Sequence, residues 1–361
     1  MEFKINTKEL LPILSKAIIA VDVKGVMPII QNYYFDVKKD KLTVKATNLE
    51  KAYLSEAKIE ADKEKQFLIP GKLLLDLVKN LSGDLTFKST PQKMKLITEG
   101  GEYNLSVSYD VEDYPEIPEI DEEIQFSISK EELTKGINFT EYAISKEEIR
   151  PSMTGVLMEV SGENITFVST DGHRLALKSM AIKIKDKTTE VIVPGSCMDA
   201  MLQMEDGVIE VSIAKSHIKF SNSKEVLISR LIGKKYVNYK KILPDNKFIA
   251  EINKEQFLRS LKRITLFTDV KDQKVILNFA DNVLTISGQN VNNGCQAEET
   301  IEVKYNEEPM KLAFYPRYLF DAFHSYEENN LKLMMSSPFE AVTLRGSDET
   351  DFCLIMPKNI D

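Results

Sequence analysis

The sequence has little of what most secreted, membrane or catalytic proteins require. Its three cysteines, Cys197, Cys295 and Cys353, are odd in number and far apart. That spacing suggests neither a disulfide framework nor a zinc knuckle. No apolar stretch approaches the roughly 20 residues needed to span a bilayer. The start, Met1-Glu-Phe-Lys-Ile-Asn6, has neither the charged leader nor the apolar core of a signal peptide. A soluble, cytoplasmic protein without a membrane partner is expected. A basic excess is also lacking: 47 Lys and Arg against 56 Asp and Glu give a net charge of −9, which argues mildly against a tight nucleic-acid binder. There is no Gly-rich phosphate loop and no metal-ligand spacing, so no cofactor is implied, and His217 and His324 stand alone.

What is present is a threefold repetition. Asn6-Thr-Lys-Glu9, Ser129-Lys-Glu-Glu132 and Asn253-Lys-Glu-Gln256 each open an amphipathic run, about a third of the chain apart. Each has the capping-box form, in which a short polar side chain and an acid or amide three residues on satisfy each other's free N–H groups. A second helix-like run begins at Pro70, Pro194 and Pro316, where proline suits the first turn because its missing N–H has no partner there. The 361 residues, 43% of them hydrophobic, suffice for two or three cores.

Alternating segments surround the helical runs. Leu42–Thr47, Ile165–Thr170 and Leu284–Gln289 align as one strand seen three times. Tyr103–Ser108, Val208–Ile213 and Leu331–Met335 alternate as well. Ser82-Gly-Asp84 and Glu205-Asp-Gly207 read as turns from the second helix into a strand. Each copy is therefore an α+β domain of two helices and about eight short strands. The acidic, proline-bearing run 113–123 and the aromatic run 236–244 mark the boundaries, giving domains at 1–120, 121–245 and 246–361.

Ser169-Thr-Asp-Gly-His-Arg-Leu-Ala-Leu177 admits two readings from its residues alone. Asp171 and His173 could form a general acid–base pair. Alternatively, Asp171 and Gly172 simply make a turn between strands. With the threefold repeat, Asp113-Tyr-Pro115, Tyr239-Lys-Lys-Ile-Leu-Pro244 and the tail Ile355-Met-Pro357, this nonapeptide resembles the bacterial replicative sliding clamps, the β subunits of DNA polymerase III.

That resemblance covers the whole chain. It implies a DNA-clamp fold, a crescent monomer closing into a ring as a head-to-tail homodimer, and no catalysis. It implies a hydrophobic groove that binds short peptide motifs, formed by Met153, Thr170, Gly172, His173, Arg174, Leu175, Val237, Ile242, Tyr318, Leu354 and Met356. In it, the Arg174 stem would cover apolar surface while its head meets the peptide. Similar clamps usually carry Pro where this chain has Val237, and Leu where it has Met153; the tail Lys358–Asp361 also departs from them. Lys24, Lys79 and Arg150 match DNA-contacting positions, and Lys262 and Arg263 match by repeat position. Leu266, Phe267, Glu298, Glu299 and Glu302 match the subunit interface, with Lys93 and Lys95 as candidate opposing charges. For Leu266 and Phe267 the other reading is ordinary core. The implied partners are double-stranded DNA without sequence preference, the replicative polymerase α subunit, an ATP-driven clamp loader and other clamp-motif replication and repair proteins. Direct DNA binding without loading is expected to be weak and salt-sensitive.

Two other classes remain open. A triplicated enzyme would repeat its catalytic residues, yet the segments equivalent to the 169–177 turn read Thr47-Asn-Leu-Glu50 and Gln289-Asn-Val-Asn292. A peptide-binding scaffold that does not encircle DNA would share the groove and lack the ring.

Overall fold

Backbone N–H and C=O groups along a strand must find partners, and in this chain they find them across the repeat boundaries. The computed structural model describes residues 1–90, 93–121, 123–182, 184 and 188–360; Glu122 of the first connector and Asp361 of the tail lie outside them. The six helices are α1 Thr7–Ala17, α2 Gly71–Lys79, α3 Lys130–Thr140, α4 Gly195–Leu202, α5 Lys254–Thr265 and α6 Pro316–His324, two per repeat among the described residues. Asn253 caps α5 by accepting from the Gln256 N–H at 3.1 Å. Asn6 caps α1 one residue earlier, accepting from the Lys8 N–H at 3.0 Å. Pro316 occupies the first position of α6, but Pro70 and Pro194 end strands one residue before their helices. There the sheet partners Asn32 and Gly155 hold each proline extended.

The described residues pack as two compact units, 1–131 with 196–231, and 132–195 with 232–361. In the first unit, an eight-stranded antiparallel sheet joins two repeats. Asn32–Val37, Lys41–Thr47, Lys51–Lys58 and Lys65–Pro70 come from the first; Ile124–Ser129, Val208–Ile213, His217–Ser221 and Glu225–Arg230 come from the second. The seam pairs Lys51–Lys58 with Glu225–Arg230, placing Leu54 opposite Val226. A five-stranded sheet completes this unit and ends in Gly101–Ser106.

The second unit repeats the plan. Gly155–Ser161, Asn164–Thr170, Arg174–Ala181 and Thr188–Pro194 join Phe248–Asn253, Asn330–Met335, Val342–Arg345 and Phe352–Ile355 in one eight-stranded sheet. Its seam pairs Arg174–Leu177 with Phe352–Ile355. A four-stranded sheet follows, ending in Cys295–Glu302. The second repeat is thus divided between the two units, because each of its half-sheets continues into a neighbour. α5 and α6 bury Phe257 and Phe323 against each other, with ring centroids 4.3 Å apart, over a core that includes Leu277, Leu312 and Leu333.

The seam of the first unit carries a buried charge. Glu225 is 2% exposed. Its carboxylate accepts from Lys16 Nζ on α1 at 3.0 Å, from the Glu205 N–H at 2.5 Å and from the Tyr53 hydroxyl. Burial opposes ionisation of Glu225, but the bonds from Tyr53, Glu205 and Lys16 prevail and hold its carboxyl below the ordinary range. A depressed folded-state pKa stabilises above the unfolded value, and that stability is lost as pH falls through the folded one. Glu225→Gln should therefore cost about 3 kcal/mol at neutral pH, the usual order for breaking a buried ion pair. Below the carboxylate range the variant should converge on wild type. Thermal melts of both proteins from neutral to acidic pH check this; a constant gap between the curves would contradict it.

Candidate functional site

The strand Asn164–Thr170 reverses into Arg174–Ala181 through Asp171-Gly172-His173. Asp171 Oδ1 accepts from the backbone N–H groups of His173 at 2.9 Å and Arg174 at 3.1 Å. Gly172 sits at φ +92°, a conformation that favours glycine. The same turn recurs in the other repeats: Asn48 Oδ1 accepts from Glu50 and Lys51, and Asn290 Oδ1 from Asn292 and Asn293. Asp171 is therefore the turn-making residue at that position. Its carboxylate holds backbone N–H groups and the Arg174 Nε at 2.9 Å, and the contact to His173 is to main chain.

Arg174 is nearly buried and fixes the floor of the site. Besides Asp171, its Nη1 donates to Asp321 on α6 at 2.5 Å and its Nη2 to the Tyr142 carbonyl at 2.6 Å. The guanidinium also lies over the Tyr318 ring, 4.7 Å from its centroid. Burial works against its charge, yet the bonds to Asp321 and Asp171 prevail and its pKa is raised. Three of its five N–H donors are thus engaged within the fold, which leaves two for the expected contact with a peptide.

Above this floor lies a groove of about 900 Å³. Thr170, Gly172, His173, Arg174, Leu175, Ile242, Leu354 and Met356 line it, as the sequence suggested. The ladder brings Leu175 opposite Leu354, and the Met356 N–H donates to the His173 carbonyl at 2.9 Å. Three expected residues lie off the groove. Tyr318 stands behind the floor, its ring stacked on His173 at 6.3 Å. Val237 packs on the apolar cluster that includes Leu175, Tyr236 and Leu354. Met153 is buried at the end of a single 3₁₀ turn, Pro151–Met153, where its carbonyl accepts from Ser145.

The second connector packs on the sheet, as its aromatic and apolar content suggested, and its end lines the groove at Ile242 and Pro244. Tyr236 donates to the Val168 carbonyl at 3.3 Å and Tyr239 to Glu159 at 2.5 Å. Lys247 N–H then donates to Ser336 Oγ at 3.0 Å, which ties this connector to the loop after Asn330–Met335. That loop supplies residues the sequence reading missed: Ser336, Ser337, Phe339, Glu340 and Ala341 also line the groove. Phe339 is 74% exposed. A phenylalanine following Ser-Ser-Pro between two strands was the available signal. The resulting site combines apolar side chains, Leu175, Ile242, Phe339, Leu354 and Met356, with polar ones such as Asp245, Lys247 and Glu340, a lining suited to an extended peptide with apolar side chains.

Lys24, Lys79 and Arg150 are exposed. Arg150 belongs beside the groove, since a Cβ built on Gly172 would meet its Nη1 at 2.9 Å. Arg263 forks onto Glu299, with both contacts at 2.6 Å, so these two expected contact residues neutralise each other within the chain. Lys95 likewise pairs with Glu102 at 2.7 Å. Leu266 and Phe267 are 81% and 37% exposed, which excludes the core reading. Among the described residues, no group of three or more His, Cys, Asp or Glu could hold a metal ion, and no helix is long and apolar enough to cross a membrane.

Three family models match the chain in order: DNA polymerase III beta subunit, N-terminal domain, at residues 1–118; central domain at 127–238; and C-terminal domain at 240–359. The chain is 24% identical to the beta sliding clamp of Haemophilus influenzae over 368 residues, covering all of both proteins. It is 23% identical to that of Escherichia coli K12, again over the full length of both. Among solved structures, the DnaN sliding clamp of Pseudomonas aeruginosa bound to griselimycin superposes with a TM-score of 0.95 at 23% identity, covering 100% of each chain. The Bacillus subtilis clamp superposes with a TM-score of 0.94 at 22% identity, with the same coverage.

The buried Arg174 network predicts a separation of roles within one motif. Arg174→Met should lower stability by about 3 kcal/mol, because Asp171 and Asp321 lose their shared cation. His173→Ala, at an exposed position, should stay within about 0.5 kcal/mol of wild type. Denaturant titrations of the two variants measure the difference.

Proposed function

This chain belongs to the DNA polymerase III beta subunit family of sliding clamps, and we propose that it encircles duplex DNA as a homodimeric ring and tethers the replicative polymerase through the groove at 170–175. It is a processivity subunit and not an enzyme. Three domains per chain, at 1–120, 121–245 and 246–361, would give six in the ring and twelve helices around the hole.

The observation that carries the ring is the pattern of seams. In each unit, the half-sheet ending in Lys51–Lys58 or Arg174–Ala181 continues into the half-sheet of the next repeat. The third repeat's corresponding strand, Cys295–Glu302, and the first repeat's Gly101–Ser106 are left as sheet edges. Unpaired edges seek partners. A second copy supplies both complements, and a head-to-tail contact of this kind closes when made twice. The exposed Leu266 and Phe267, on the loop after α5, supply apolar surface for that contact.

Encirclement accounts for the acidic composition. A slider needs weak phosphate contacts without register, since closure prevents escape where affinity does not. Lys24, Lys79 and Arg150 are the cations proposed to touch DNA. Tethering keeps the polymerase at high effective concentration near its template, so that dissociation is followed by rebinding. The loader that opens the ring is an ATP-driven partner, and the polymerase α subunit and other clamp-motif proteins would dock their apolar segments between Leu175, Leu354, Met356 and Phe339.

The test is retention. Labelled protein is placed by a bacterial clamp loader on nicked circular DNA, half of which is then linearised. Retention on circles at moderate salt, with loss from free ends, is expected; equal behaviour on both would favour a peptide-binding scaffold. Independently, His173→Ala with Met356→Ala should weaken binding of a polymerase-tail peptide about tenfold or more, as loss of central interface contacts does, and leave the dimer intact.

A further inference from the structure

The internal repeats fix the register of the seam that no single chain contains. The first-helix caps Asn6, Ser129 and Asn253 stand opposite Asp84, Val208 and Asn330 in their sheets. Two residues on, Thr86, Glu210 and Lys332 pair with Ile97, Ser221 and Arg345. These in turn pair with Glu102, Val226 and Phe352. The three last-named residues are thus equivalent. On the other side of each seam, the equivalent hairpin positions Lys45, Val168 and Ser287 pair with Leu54, Leu177 and Glu298. In the two seams within the chain, the equivalents face each other: Val226 opposite Leu54, and Phe352 opposite Leu177. Two alignments, one from helix caps and one from hairpins, therefore converge on one register.

Resting on the ring reading above, we infer that the subunit seam has this same register, and that it sets Glu102 of one subunit directly opposite Glu298 of its partner, two carboxylates where the internal seams have apolar pairs. The neighbouring pairs are Tyr103 with Ala297 and Asn104 with Gln296. The faces agree: Glu102, Asn104, Gln296 and Glu298 are exposed, while Tyr103 and Ala297 are half-buried on the helix side. Tyr103 with Ala297 then reproduces the buried pairs Leu227 with Tyr53 and Cys353 with Ala176.

Like charges directly opposite in an antiparallel pair oppose association. Lys95, 2.7 Å from Glu102, is a cation already placed to temper the conflict. Among the described residues, no lysine or arginine of its own chain forms an ion pair with Glu298. The subunit seam is therefore electrostatically weaker than the internal seams. The charge conflict acts on opening and leaves the peptide groove untouched.

The experiment is a charge-reversal cycle read as dimer dissociation constant in low salt, by sedimentation of the full-length protein. Glu102→Lys and Glu298→Lys should each tighten the dimer about fivefold, and the double variant should return to near wild type because like charges face again. Additive effects in the double variant would overturn the register. A position-specific check uses Asn104→Cys with Gln296→Cys in a Cys295→Ser background; the remaining Cys197 and Cys353 are buried. Oxidation should link two chains, whereas Asn104→Cys with Glu298→Cys should link far less; equal linking of both pairs would also overturn the register. A wild-type protein that stays monomeric at all concentrations would instead refute the ring on which the inference rests.

Discussion

The constraint on which the rest depends is the need of strand edges for partners. The half-sheets of the second repeat pair outward, with Lys51–Lys58 on one side and Phe352–Ile355 on the other. Backbone hydrogen bonds are thereby continuous where the sequence changes repeat. This is why the compact units do not coincide with the repeats, and why each unit ends in one sheet whose last strand has no neighbour. A repeat array normally caps such edges. Here Gly101–Ser106 and Cys295–Glu302 remain as sheet edges.

Each internal seam is also fastened by charge, with different side chains. In the first unit the buried Glu225 binds Lys16 and Tyr53, so a carboxylate of the second repeat holds a helix and a strand of the first. In the second unit the arrangement is inverted: Arg174 of the second repeat binds Asp321 of the third, and Lys178 binds Asp351. In both cases a desolvated ion is tolerable because opposite charges and further hydrogen bonds surround it. The practical result is a rigid floor at 170–175, since the turn, the strand and α6 are locked through one guanidinium.

Only one seam has a base suited to an apolar peptide. Leu175 faces Leu354 in the second unit, whereas the corresponding pair in the first is Ala52 with Ile228. The segment 242–247 and the 336–341 loop then add walls on either side. The three copies share a scaffold, and the groove comes from substitutions and loops at one of them. The proposed peptide site therefore lies in a local departure from the repeat, as does the proposed acid pair at the opposite ends.

The sequence by itself determined the threefold repeat, the two helices per copy and the turn at Asp171-Gly172, because these rest on local patterns: capping residues, alternation and backbone conformations that few residues accept. Eight groove residues were legible through the run 169–177, the connector and the tail, all short and distinctive. Phe339, the inward turn of Met153 and the bonds from Arg174 to Asp321 and Tyr142 were not legible, since each depends on how the chain folds back on itself. The exposure of Leu266 and Phe267 was equally undecided, because an apolar pair after a helix reads the same in a core or on a surface. Only the tertiary structure decided that the repeats share sheets, because strand pairing joins residues such as Leu54 and Val226 through space and leaves no mark in either segment alone.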